Sequence, residues 1–114
     1  MTAADFRRIA LALSGVVEGA HMGHPDFRVN GRIFASLHSG NRFGMVILTP
    51  EQQEEFRRAH PQLFRPESGA WGRGGSTRVD LAVAEPEVVG EALTLARQNA
   101  VRKGSPKKAK PSRR

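Results

Sequence analysis

The dipeptide Asn30-Gly31 constrains the fold of this chain more than any other feature of the sequence. Both residues readily adopt positive φ, which the type I′ turn of a two-residue β-hairpin requires. Segments rich in β-forming residues flank the dipeptide, at residues 25–29 and 32–37. The sequence therefore predicts a β-hairpin centred on this turn.

Hairpin geometry also predicts which side chains share a face of the sheet. In a two-residue hairpin Val29 opposes Arg32, and Phe27 opposes Phe34, so these four residues would share one face. The other face would carry the remaining hairpin residues: Arg28, Ile33, Ala35 and Leu37. Both sets contain apolar side chains, so the pattern alone leaves the register open.

Other segments carry their own signals. Thr2 with Asp5, and Thr49 with Gln52, have the spacing of a capping box at a helix start. The sequence predicts helices over residues 3–14, 50–60 and 86–101. It predicts further strands over residues 16–20, 43–48, 63–65 and 77–83, and a glycine-rich loop over 68–75.

Tight turns between neighbouring strands are typical of an antiparallel sheet, and amphipathic helices pack against such a sheet. We therefore expect an α+β fold, with an antiparallel β-sheet of about five strands and three helices packed mainly on one face.

Composition narrows the class of protein. A length of 114 residues predicts one domain. The chain has no cysteine, which excludes disulfides and thiolate chemistry. We see no signal-peptide pattern and no apolar run of the ~18 residues that a membrane span needs. We expect a cytoplasmic protein that has no membrane role and needs no small-molecule cofactor.

The formal charge of +7 is unevenly distributed. Residues 102–114 hold seven of the 18 Lys and Arg and no acidic residue. The remaining 11 basic residues balance 11 acidic ones in residues 1–101. This shift predicts a neutral α+β domain over 1–101 and a basic, disordered tail over 102–114.

Two histidines and a carboxylate lie close together, as His21-x-x-His24-x-Asp26. These side chains are chemically suitable zinc ligands, and Glu18 could supply a fourth. A loop gives them no fixed geometry, however, and we favour the alternative that His24 and Glu18 take part in structural hydrogen bonds at the start of the strand. We therefore predict no metal site, although the pattern does not exclude one.

The glycine-rich segment 72–77 invites comparison with phosphate-binding loops. It lacks the P-loop spacing and lysine, and it precedes a strand rather than a helix. We favour a tight loop that seats Trp71. No spacing of serine, histidine or carboxylate residues suggests a catalytic triad or an acid–base pair, so we predict no catalytic residues and no enzyme activity.

Arginines near the predicted strands offer a better functional lead. Guanidinium groups suit phosphate oxygens, and the single tryptophan could stack on a base. The candidates for nucleic-acid contact in the domain are Arg28, Arg32, Arg42, Trp71, Arg73 and Arg78. The alternative is a solvated face in which arginines pair with Asp26, Glu67 and Asp80.

The basic tail is a separate candidate. Ser105-Pro106-Lys107-Lys108 resembles the SPKK-type repeat of histone tails, which contacts the minor groove of A·T-rich DNA. Its charges would release counterions and give salt-sensitive affinity for DNA. We assign this role to Lys103, Lys107, Lys108 and Lys110. The alternative is a solubilising extension.

Several motifs in one order resemble the MmcQ/YjbR family. They are residues 18–35, then Pro50-Glu51-Gln-Gln, then Phe64-Arg-Pro66, then residues 69–77, which read Gly-Ala-Trp-Gly-Arg-Gly-Gly-Ser-Thr. The resemblance covers roughly residues 5–100. It implies a CyaY-like α+β fold with a double-wing arrangement of hairpins, and a role in DNA binding.

Two positions depart from the pattern of the family. Ser76 stands where an aromatic residue usually precedes the threonine, and Ile47 stands where a lysine is common. The fold type is shared with frataxin-like proteins, which bind iron through acidic residues of the first helix. Here that helix carries only Asp5, together with Arg7 and Arg8, which argues against iron binding.

These observations lead to one expectation about function and one alternative. We expect a non-enzymatic, sequence-tolerant DNA-binding protein that uses hairpin and loop arginines together with the tail. The alternative is a protein-interaction module of CyaY-like fold, with Trp71 and the hairpin forming the surface for a protein partner.

Overall fold

The computed structural model describes residues 1–104, with side chains to Arg102. It contains six strands and four α-helices, where we expected a sheet of about five strands and three helices. In chain order they are α1 (Ala3–Ala12), β1 (Val17–His21), β2 (His24–Val29), β3 (Arg32–Leu37), β4 (Phe43–Ile47), α2 (Pro50–Ala59), β5 (Phe64–Pro66), α3 (Gly69–Arg73), β6 (Ser76–Asp80) and α4 (Pro86–Gly104).

All six strands form a single antiparallel sheet in the order β1-β2-β3-β4-β6-β5. The predicted α+β class is confirmed. Both predicted capping boxes are present. In each pair, Thr2 with Asp5 and Thr49 with Gln52, the side chain of each residue accepts a hydrogen bond from the backbone N–H of the other. Asn30 and Gly31 have φ of 53° and 78°, as the predicted turn requires.

The predicted register of the hairpin is wrong beyond its first rungs. Val29 opposes Arg32, but Phe27 opposes Ala35, because Phe34 is an extra residue in β3. Such a β-bulge moves every later side chain to the opposite face. The displacement brings Ala35 and Leu37 onto the same face as Phe34, and each of the three is at least 96% buried in the core.

One face of the sheet is covered by helices. Helix α4 packs on β2, β3 and β4, and α1 packs on α4 and β4. The core between them contains four fully buried phenylalanines: Phe6, Phe27, Phe34 and Phe64. At about 25 cal/mol per Å² of buried apolar surface, such rings dominate the stability of a small domain.

The glycine-rich segment is a short helix and not the predicted loop. Gly72 lies so close to Glu67 that a Cβ atom would stand 1.6 Å from the Glu67 carbonyl oxygen. The buried Gln53 amide of α2 donates to the carbonyl oxygens of Gly72 and Ser76 and to Thr77 Oγ1, at 2.9 to 3.2 Å. These contacts fix α3, and with it Trp71, against the end of β6.

Two further boundaries differ from the prediction. The alternating strand ends at Asp80, because residues Leu81–Val83 form a 3-10 turn whose start is capped by the Asp80 carboxylate. Helix α4 continues past Val101 to Gly104, with Arg102 donating to Asn99 Oδ1. The predicted tail from Ser105 onward lies outside the described residues.

The two glycines on either side of Arg73 should respond differently to alanine. We expect Gly72→Ala to lower the free energy of unfolding by about 3 kcal/mol or more, because its methyl group meets backbone atoms that cannot move aside. Gly74→Ala is the matched control, since its Cβ would meet nothing nearer than 3.5 Å. Urea unfolding followed by far-ultraviolet circular dichroism measures both. Equal losses in the two variants would contradict the close packing at Gly72.

Candidate functional site

The second face of the sheet is not covered by helices, and we call it the open face. The register places alternate residues of every strand on it. Its residues are Val17, Gly19, His21, His24, Asp26, Arg28, Ile33, Ser36, Phe43, Met45, Ile47, Arg65, Ser76, Arg78 and Asp80. Polar groups dominate its two sides, while Ile33, Met45 and Ile47 form an apolar centre that is only half-buried.

Asp26 is the most buried charged group on the open face, with no exposed surface. Its carboxylate accepts two hydrogen bonds from the Arg28 guanidinium, at 2.7 and 3.0 Å, and one from His21 Nδ1 at 2.7 Å. The hydrogen bonds from Arg28, followed by that from His21, lower the pKa of Asp26 against the opposing effect of burial. Because an ionised carboxylate only accepts, His21 carries its proton on Nδ1.

A second carboxylate is also hydrogen-bonded to one histidine and one arginine. Glu67 accepts from His38 Nε2 at 2.8 Å and from Arg78 Nη2 at 3.2 Å. The His38 ring comes from the end of β3, whereas Glu67 follows β5, so this triad connects the middle of the sheet to its edge. Each triad leaves one histidine nitrogen without a carboxylate partner.

A third ion pair lies near the opposite end of β4 and β6. Arg42 donates to both oxygens of Asp80, at 3.2 and 3.4 Å. The Arg42 and Arg78 guanidinium groups also lie 5.1 and 5.2 Å from the centre of the Phe43 ring, within the range of a cation–π contact. The hydrogen bond from Arg42 lowers the pKa of Asp80, and Arg65 adds a smaller effect of the same sign.

A groove of about 560 Å³ runs between the two triads and below Trp71. Its walls combine apolar and hydrogen-bonding groups: His21, Ile33, Ser36, His38, Met45, Ile47, Glu67, Ser68, Trp71 and Ser76. Trp71 is 79% exposed, so most of its indole is free to contact a ligand. An exposed indole over an apolar groove suits a planar, aromatic group.

The structure brings together only part of the predicted arginine set. Arg28, Arg42 and Arg78 lie on the open face, paired with the carboxylates that the sequence suggested as alternatives. Arg32 lies on the helix-covered side, in a separate cleft with Asn99 and Ala100 of α4.

The other predicted contacts lie away from the strands of the sheet. Arg73 is the exposed last residue of α3, and it forms no ion pair with any residue between 1 and 102. Lys103 lies in α4, and its side chain is not described. Three predicted tail residues lie outside the described residues: Lys107, Lys108 and Lys110.

The histidine cluster has a geometry that the sequence did not show. His21 rather than His24 bonds to Asp26, and Glu18 accepts a 2.6 Å hydrogen bond from Arg7. The centres of the two histidine rings are 6.3 Å apart. Within the described part of the chain, no three His, Asp or Glu side chains are arranged to hold a metal ion.

Sequence reasoning missed Arg65, which directly opposes Arg78 on the open face. It also missed the triad of His38, Glu67 and Arg78, whose members are 11 to 40 positions apart along the chain. The only available signal was alternation, which places Arg65 and Phe64 on opposite faces of one short strand. The pairing of β5 with β6 was needed to show which arginines meet.

Comparison with known proteins agrees with the motifs quoted above. The YjbR family profile matches residues 11–99. The chain belongs to the YjbR family. No curated protein is significantly similar to it in sequence.

A solved structure gives independent support for the fold of this YjbR chain. The crystal structure of Deinococcus radiodurans protein DR2400, which is described as a DUF419 domain, superposes with a TM-score of 0.76. The alignment covers 90% of this chain and 80% of the other, at 24% sequence identity. At this identity the similarity shows a shared fold. No helix among residues 1–104 is long and apolar enough to cross a membrane.

The two departures from the usual YjbR pattern lie side by side. Ile47 and Ser76 are direct cross-strand partners on β4 and β6, and both line the groove beneath Trp71. A side chain as small as serine and an uncharged isoleucine make this part of the groove roomy and neutral. A ligand that enters it meets a different surface from the one that an aromatic residue and a lysine would form.

Replacing Asp26 tests its role in holding β1, β2 and the open face together. We expect Asp26→Asn to cost about 2 kcal/mol of unfolding free energy at pH 7, because the Arg28 and His21 donors lose their charged acceptor. The folded-state pKa of Asp26 is lowered, so its contribution is complete above the ordinary carboxyl range. The contribution is lost as the pH falls through the lowered pKa, and the gap between the two proteins should close there.

Urea titrations between pH 7 and pH 2 measure this gap. Glu55→Gln is the control for an exposed acidic residue, since Glu55 lies on the surface of α2 and forms no ion pair within residues 1–102. A difference between wild type and Asp26→Asn that stays constant down to the lowest pH would contradict the ionised pair.

Proposed function

We propose that this protein binds DNA without sequence preference, through the open face of its sheet and its basic C-terminal segment. One observation supports this proposal above the others. The exposed indole of Trp71 and a group of arginines lie on one uncovered face, at opposite ends of the same two strands. Stacking platforms combined with arginines are typical of proteins that bind single strands.

The spacing along β4 and β6 fits an extended ligand. The rung formed by Ile47 and Ser76 borders the Trp71 groove, and the rung formed by Phe43 and Asp80 borders the arginines. The two rungs are four positions apart along β4, which corresponds to roughly 13 Å at about 3.3 Å per residue. A single strand lying along β4 could place a base under Trp71 and a phosphate near the arginines. We therefore expect single strands to bind more tightly than duplex.

The ion pairs determine which arginines can contact phosphate. Arg28 forms two short hydrogen bonds to a fully buried carboxylate, so we assign it a structural role. Arg42 makes only longer contacts, and Arg65 forms no ion pair within residues 1–102. We assign phosphate contact to Arg42, Arg65 and Arg78, and base stacking to Trp71.

Fluorescence anisotropy with a labelled single strand tests the open face. We expect Trp71→Ala to weaken binding about tenfold, the effect of losing one stacked base, without changing the salt dependence. Arg58→Gln is the control, because Arg58 is exposed on α2, on the covered side of the sheet. The open face would be excluded as the binding surface if two variants both kept wild-type affinity. These are Trp71→Ala and the double variant Arg42→Gln/Arg65→Gln.

The contribution of the basic segment is measured separately in the full-length chain. Replacing Lys103, Lys107, Lys108 and Lys110 by glutamine should lower the slope of log affinity against log salt by up to about 3, at about 0.7 per contact with a single strand. The effect of Trp71→Ala should persist in this background. If the lysine variant binds no DNA at all, the affinity belongs to the tail and not to the domain.

A protein partner is the second candidate function, and the three ion pairs of the open face favour it. Carboxylates neutralise Arg28, Arg42 and Arg78, and the centre of the face is apolar, as in many protein interfaces. A partner that competes with the single strand for Trp71 would show that both use the same groove. Absence of any salt-dependent DNA binding would leave the protein-interaction function as the better explanation.

A further inference from the structure

Three arginines converge on one small cleft at the outer end of the open face. Arg42 comes from the turn before β4, Arg65 from β5 and Arg78 from β6. The cleft has a volume of about 200 Å³ and is lined by Arg42, Phe43, Gln62, Leu63, Arg65, Arg78 and Asp80. Asp80 is the single carboxylate among these lining residues.

Two of these arginines are placed where the repulsion between their charges destabilises the sheet. Arg65 and Arg78 are direct cross-strand partners of an antiparallel pair, so their Cβ atoms are about 5 Å apart. Like charges in this position repel each other and destabilise the strand pair. An anion between the two guanidinium groups would turn this repulsion into attraction.

The existing carboxylates do not fully occupy the arginine donors. Arg42 and Arg78 reach Asp80 and Glu67 over 3.2 to 3.4 Å, longer than the 2.7 to 2.9 Å of a strong charge-assisted bond. Arg78 Nε is buried and has no hydrogen-bond partner among the described residues. Donors therefore remain for a further acceptor in this cleft.

The arginines are also held in position before any ligand arrives. Arg42 and Arg78 each lie about 5 Å from the Phe43 ring centre, which restricts both planar groups. Holding guanidinium groups in place lowers the entropy that binding would cost.

We propose that this cleft is a discrete binding site for a phosphoryl group, with Arg42, Arg65 and Arg78 as its ligands. Forked guanidinium donors match the oxygens of phosphate, and three arginines paired with only two carboxylates, Asp80 and Glu67, leave a net positive charge that favours an anion. The volume lies below the roughly 300–1,000 Å³ of pockets for drug-sized molecules, so the cleft takes the phosphoryl group and not a whole cofactor. This proposal rests on the proposed function in one respect only, because DNA would then be the source of the phosphoryl group.

Inorganic phosphate is the probe that tests the site without DNA. The arginine Nε–H signals of ¹⁵N-labelled full-length protein are followed by NMR during a phosphate titration at constant ionic strength. We expect the Arg78 signal to shift in a saturable way, since its Nε lacks a partner. Titration to about 10 mM covers dissociation constants into the millimolar range.

Two variants identify the ligands. Arg65→Gln should raise the dissociation constant for phosphate at least about tenfold, because it removes one charged donor from an exposed edge strand. Arg58→Gln removes another exposed arginine, from α2, and should leave the dissociation constant for phosphate unchanged. A well-dispersed spectrum of Arg65→Gln shows that the variant is folded. No saturable shift in wild type, equal shifts with chloride, or unchanged affinity in Arg65→Gln would each overturn the proposal.

Oligonucleotides with and without a 5′-phosphate then identify the source. Tighter binding of the phosphorylated strand, lost in Arg65→Gln, assigns the cleft to a terminal phosphate. Equal binding of both strands that is weakened by Arg65→Gln assigns it to a backbone phosphodiester. If phosphate binds through Arg65 and neither strand binds, the phosphoryl site stands and the proposed DNA-binding function fails.

Discussion

Burial of the sheet on one side only is the constraint on which the rest of this structure depends. The apolar residues of α1 and α4 cover one face, and the buried phenylalanines fill the space between them. Gly44 shows how closely this side is packed, because a Cβ atom there would stand 2.8 Å from the Phe6 ring. No comparable layer covers the other face in the described part of the chain, so its side chains must satisfy one another or bind something else.

On that face, hydrogen-bonded ion pairs take the place of a core. Asp26 and Glu67 each hold one histidine and one arginine, and Asp80 holds Arg42. Carboxylates this well satisfied fix the orientation of the arginines, although they also neutralise much of the charge. The positive charge that is not neutralised on the open face is therefore confined to particular arginines. The site at Arg65 matters because its cross-strand partner is another arginine and not a carboxylate.

Sequence signals predicted the structure correctly where the stabilising interaction joins residues that are close together in the chain. The Asn30-Gly31 turn and both capping boxes depend on residues no more than three positions apart, and each formed as predicted. The bulge at Phe34 was beyond such reasoning, because burying Phe34 and Ala35 together against the helices outweighs regular pairing. The same holds for α3, which a sequence of glycines around one tryptophan does not favour. Contacts from Gln53 and Glu67 to Gly72 stabilise this helix from outside it.

The sequence by itself determined the α+β class, the starts of three of the four helices, the central turn, the excess of basic residues over positions 102–114, and the likeness to YjbR proteins. It also named Asp26, Glu67 and Asp80 as carboxylates with which the arginines could pair, and all three do so. Only the tertiary structure decided which arginines share a face. The burial of Val29, the cross-strand partner of Arg32, and the pairing of β5 with β6 set that outcome, and local composition shows neither. For this reason Arg65 belongs to the candidate site and Arg32 does not.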